Sequence, residues 1–174
     1  MRRKKQIAMS GMLVEFSLEQ LAKQADMIVE AHVTAPAVQS ASVRLGPTDF
    51  LLAFTDSRVH IDNKLKAPPF ETGNEVLIRT LGGRTPEADV TVDSEAQLSA
   101  KEDVILFLTR NFPVDLPPNV FAVMGGFQGK FSVSGSAHSR VAARAGADQD
   151  AIGIDNLRRA IKQYLDINEF AAAP

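Results

Sequence analysis

The residues that could do chemistry in this chain are few, and their spacing argues against a shared site. Cysteine is absent, and histidine occurs only as His32, His60 and His138. Disulfides, thiolate nucleophiles, cysteine-ligated zinc and iron–sulfur clusters are therefore excluded. No histidine has a second one at ligand spacing, so a metal site would need carboxylates brought in from other strands. His32 and His60 are expected as solvated or half-buried residues on strand faces.

Ser134-Gly135-Ser136, beside His138, combines the residue types of a nucleophile and a base. It lacks the strand–turn–helix elbow that presents a hydrolase serine, and a polar turn is expected. Asp148 and Asp150 followed by Gly153 resemble the opening of a calcium loop. Its fifth place is Ile152 and its twelfth is Arg159, where a bidentate glutamate is required. Solvated aspartates ahead of a helix capped by Asp155 are expected instead. Gly82-Gly83, with Arg84 next, and Gly125-Gly126 could bring bare backbone to an anion. Neither opens a helix as a phosphate cradle does, so turns or bulges are expected. The residues thus offer no catalytic set, no metal ligands and no cofactor motif, and they leave the binding residues unassigned.

Composition narrows the partners. The 19 basic and 21 acidic residues, a formal charge of −2, exclude a globally basic binder of nucleic acid. Single-strand sites stack bases on exposed aromatics. This chain has no Trp, one Tyr and ten Phe, and most of the Phe fall on apolar strand faces. A hydrophobic share of 45% in 174 residues supplies a core for one domain. No stretch approaches the roughly 18 apolar residues of a membrane-spanning helix.

The elements that would position any site can be read from periodicity. Ser17 and Gln20 form a capping box, and Phe16 and Leu21 stand at the two places of a hydrophobic staple. A short helix over Leu18 to about Asp26 follows. Strands are expected at Ile28–Ala35, ended by Pro36, and at Phe50–Ile61. In the second the apolar parity shifts from Phe50, Leu52 and Phe54 to Val59 and Ile61, which predicts a bulge near Asp56-Ser57. Ala37 to Asp49 reads as a loop, and Lys66 to Phe70, with Pro68-Pro69, as a turn. Further strands are expected at Val76–Leu81, Val90–Val92 and Val104–Leu108, the last buried on both faces. Phe121–Met124 and Gly129–Val133 read as a hairpin. Leu157, Ala160, Ile161, Tyr164 and Leu165 form the stripe of a final helix that docks on the barrel.

Short strands, a long bulged strand and a leading helix predict a mainly β fold: an OB-like five-stranded barrel with a short N-terminal helix and an added C-terminal helix. Residues 16–145 would form the barrel domain, 146–170 a C-terminal helical extension and 171–174 a disordered tail. Residues 1–15, with Arg2, Arg3, Lys4 and Lys5, read as a flexible basic arm or the remnant of an export signal.

A set of short words also points to relatives. Ser17-Leu18-Glu19-Gln20-Leu21, Ala25-Asp26-Met27-Ile28-Val29, Val59-His60-Ile61 with Leu65-Lys66, Val104–Leu108 and Gly126-Phe127-Gln128-Gly129-Lys130-Phe131 occur in one order. The set resembles a group of uncharacterised bacterial proteins, commonly exported, and through them is similar to the netrin-like module of the tissue inhibitors of metalloproteinases. Those inhibitors chelate zinc through an N-terminal cysteine, a route closed to this chain. Ala67 also replaces the glycine that follows the lysine in the bacterial pattern, and Ala31-His32 stands where that pattern often has glycine. The resemblance implies a non-enzymatic binding module for a protein or surface glycan, in the cell envelope or outside the cell. The alternatives are an intracellular OB-fold binder of single-stranded nucleic acid that uses the basic arm, and a self-assembling structural protein. An intact, unprocessed start would favour the cytoplasm.

Overall fold

The computed structural model describes residues 4–10, 14–35, 37–47, 50–144 and 151–171. In chain order the strands and helices are β1 (Lys5–Met9), α1 (Leu18–Gln24), β2 (Met27–Val33), β3 (Val38–Leu45), β4 (Phe50–Lys66), β5 (Glu75–Leu81), β6 (Gly83–Arg84) and β7 (Ala88–Val92). Then come β8 (Asp103–Thr109), β9 (Val120–Val123), β10 (Lys130–Ser134), β11 (Val141–Arg144), β12 (Ile152–Gly153) and α2 (Ile154–Ala171).

Five of these strands close on themselves. β2 pairs antiparallel with β4, β4 with β5, β9 with β8, and β8 with β2. The ring is sealed by a parallel seam, Leu77 beside Val120 and Ile78 beside Phe121. Closure buries the inward residues of each strand, including Met27, Val29, Val59, Ile61, Ile78, Leu106 and Phe121. The expected mainly β, OB-like barrel with a short leading helix and a final helix is the fold observed.

The barrel has a second core on its outer surface. Ile105 and Phe107 alternate with the inward Val104, Leu106 and Leu108, and they lie under Leu21, Ala22, Leu157 and Ile161 of the two helices. This explains the unbroken apolar run of β8, which has no wet face. The final helix therefore docks on its own barrel. Asp155, expected as its cap, lies inside the first turn, where its charge still suits the helix dipole.

Four expectations are corrected. Ala37 to Asp49, read as a loop, contains β3, which pairs with β4 from Val38–Asp56 to Leu45–Phe50. Its apolar residues Ala41, Val43 and Leu45 alternate with Ser42 and Arg44, and Val38 at its start is 64% exposed. The bulge placed at Asp56-Ser57 is absent, since β4 and β5 stay in register from Phe54–Leu81 to His60–Glu75. Ala53, Val59 and Ile61 are buried without a shift of parity, Ala53 beneath β7 and the other two in the barrel core, and Phe54 is buried on the opposite face from Ala53 beneath Phe112. The β2–β4 ladder instead skips Asp62 and Leu65, while the β3–β4 ladder skips residue 40.

Phe121 to Val133 is not a hairpin. β9 and β10 lie end to end along one edge of β8, separated by a 3-10 turn over Gly126–Gly129. Finally, the stretch read as an arm contains β1, parallel to β7, with Ile7 and Met9 packed on Ala53, Val90 and Val92. Arg2, Arg3, Pro36, Asp148, Asp150 and residues 172–174 lie outside the described residues.

Candidate functional site

Three places could carry function. The first is the histidine row. β2 and β4 set His32 directly opposite His60, with ring centroids 5.1 Å apart. Asp62 Oδ2 lies 3.1 Å from His32 Nδ1. Long-range pairing thus joins two residues that sequence spacing left apart. Among the described residues, however, no three His or acidic side chains converge as a metal site. His138 stays exposed in the turn between β10 and β11, where Ser136 and Ser139 share a 3.0 Å hydroxyl contact.

The second place is the outer face of β4 and β5. In OB barrels the second and third strands, with the loops joining strands one and two and strands four and five, carry oligonucleotides and oligosaccharides. Here the chain covers part of that face itself. Phe112, from the loop between β8 and β9, packs on Phe54 with centroids 5.6 Å apart. Arg79 stands over the same ring at 5.5 Å and is held bidentate by Asp56, both bonds being 2.9 Å. Arg110 pins the loop by donating to the carbonyls of Leu116, Pro117 and Val120 at 2.6–2.8 Å. Phe54, a potential stacking platform, is thereby sealed.

The third place is a cleft of about 580 Å³ between the start of α1, β11 and α2. Ser17 Oγ accepts the Gln20 N–H at 3.1 Å and Gln20 Oε1 accepts the Ser17 N–H at 2.8 Å, the expected capping box. That fixes one wall, including Leu18. Ile152 and Leu157 form the opposite wall, and Phe131, Ala142 and Arg144 line it between them.

Two side chains, Gln128 and Arg144, hold this cleft in shape. Gln128 accepts the Phe16 N–H and donates to the Val14 carbonyl, each at 2.8 Å, and so clasps the chain ahead of α1. Arg144 donates from Nε to the Gln128 carbonyl at 2.9 Å. Its Nη2 donates to the Phe16 carbonyl at 2.7 Å and to Gln128 Oε1 at 3.2 Å. Burial lowers the Arg144 pKa, and Glu15 on the same cleft partly offsets this. The parity of β11 was the available signal, since Arg144 shares a face with the buried Ala142.

Gly125 and Gly126 form a turn, as expected, whereas Gly82 links β5 to β6 and Gly83 is the first residue of β6, paired with Val90. Gly125 and Gly126 have φ of 65° and 60°, and a Cβ on Gly126 would stand 1.9 Å from the Ser94 carbonyl oxygen. The words shared with the bacterial pattern have structural duties as well. Asp26 accepts the Arg110 N–H at 2.7 Å, and Lys130 reaches Glu102 at 2.7 Å.

Closed ring, parallel seam and two covering helices define an OB-like β-barrel. Compared with known proteins, the chain matches no protein-family model and no curated protein.

Proposed function

We propose that the chain is a non-enzymatic binding module that takes a partner protein in the cleft between α1, β11 and α2. The observation that carries this reading is the make-up of the cleft: apolar walls around a single guanidinium, with Glu15 as the accompanying acid. Such a surface recognises shape and charge, and the side chains lining it include no nucleophile paired with a base. The resemblance to netrin-like inhibitors agrees with it, and so does the covered face of β4 and β5. A surface glycan is the less favoured ligand. Phe131 is buried in the outer core and Phe16 packs against it, which leaves little ring surface for a sugar.

The test is photocrosslinking in extracts of the source cells. A benzoylphenylalanine at Leu18, on the cleft, should give a discrete protein adduct that the same group at Phe70, lining a different hollow, does not. Equal labelling from both places, or turnover of chromogenic esters, phosphates or glycosides in proportion to protein concentration, overturns the reading.

A further inference from the structure

Arg144 is held along one edge of its guanidinium. Three acceptors engage its Nε and Nη2, yet Nη1 has no hydrogen-bond partner among the described residues. Nη1 is also not sealed away, because among the described residues the buried side-chain atom left unsatisfied is Asp89 Oδ1. No described carboxylate forms a salt bridge with Arg144; Glu15 acts on it only through space. A partly buried guanidinium held by carbonyls keeps its full charge, and it gains most from an anion that arrives without reorganisation.

The surroundings restrict that anion. Arg144 is paired across the sheet with Phe131, and the half-buried Phe16, Leu18 and Ile152 face the same space, with the fully buried Leu157 behind them. A ligand that uses both features carries an anionic group and an apolar group on neighbouring atoms. We propose that the cleft receives the C-terminal carboxylate of a partner polypeptide whose last residue is apolar, with Arg144 Nη1 as its donor. This rests on the reading of the chain as a protein-binding module. A chain terminus fits because its last Cα bears both the carboxylate and the side chain. An acidic side chain within a polypeptide would drag two flanking segments into a cleft of about 580 Å³.

The probes are acetyl-Ala-Leu with a free carboxylate and the same dipeptide as its amide. Each is titrated into the full chain and followed by the NMR signals of the Arg144 Nε–H and the Ile152 and Leu157 methyls. The acid should bind at least tenfold tighter than the amide. Arg144→Gln should abolish that preference. Because Arg144 also braces Phe16 and Gln128, a second variant is needed: Glu15→Gln removes the competing charge and should tighten the acid several-fold while leaving the amide unchanged. Equal binding of acid and amide, no binding of either, or an acid affinity indifferent to Glu15→Gln overturns the proposal. Crosslinking from Leu18 then separates two failures. A surviving adduct leaves the protein-binding module standing without its carboxylate, and loss of the adduct removes both.

Discussion

Lys66 Nζ lies 2.6 Å from the carbonyl oxygen of Ala25, and 3.1 and 3.0 Å from those of Ala22 and Lys23. The last residue of β4 therefore caps the C-terminal end of α1, whose final carbonyls have no partner within the helix. A cation at that end also meets the negative pole of the helix dipole. Burial lowers the Lys66 pKa, and Asp26 nearby opposes the shift.

Replacement by an isosteric apolar residue isolates this cap. Lys66→Met keeps most of the stem but leaves three carbonyls unpaired, and a loss of about 1 kcal/mol, at most about 2, is expected. Urea unfolding reads it as a lower midpoint at constant slope. An unchanged midpoint would show that water replaces the ammonium without cost.

Glu95 supplies a pH signature. Burial raises its pKa, and the Leu81 N–H donated to Oε2 at 3.2 Å opposes the rise. A raised folded pKa means that the folded state holds the proton more tightly than the unfolded chain. Its contribution to stability is full below the unfolded value near 4.5, and it is lost as pH rises through the folded value. Glu95→Gln keeps an acceptor for Leu81 and carries no charge. It should stabilise the chain at pH 7 and remove the loss that sets in as pH rises above about 4.5. Parallel stability curves for the two proteins above that pH would refute the assignment.

Phe112 tests whether the outer face of β4 and β5 is shut. Phe112→Ala removes the ring over Phe54 and should cost about 1–2 kcal/mol, less than a fully buried phenylalanine. It should also raise the binding of an apolar fluorescent dye. The unaltered chain should give no anisotropy change with a labelled oligo-dT at low salt. Salt-sensitive binding by the unaltered chain would restore the nucleic-acid alternative.

Much of the fold was legible because its signals are local. The capping box of Ser17 and Gln20 involves residues three apart. The stripe from Leu157 to Leu165 and the run Val104–Leu108 state their burial through periodicity alone. Reading failed where a partner strand supplied what the segment lacked. β3 does alternate, Ala41, Val43 and Leu45 against Ser42 and Arg44, but its serines and the Gly46-Pro47 that follows suggest a loop, and pairing with β4 is what makes it a strand. The parity of β4 looked broken because both of its faces are covered near Phe54, one by the sheet of β7 and the other by Phe112.

By itself the sequence determined the class of fold, the place of both helices, and the absence of cysteine chemistry. These follow from composition and from hydrogen bonds and apolar spacings within a few residues. Only the tertiary structure decided that His32 meets His60, that Lys66 closes α1, and that Arg144 faces a cleft in which no carboxylate among the described residues forms a salt bridge with it. Each depends on which strands pair and in what register. Pairing between residues distant in the chain sets which charges lose their water, and no local pattern encodes that loss.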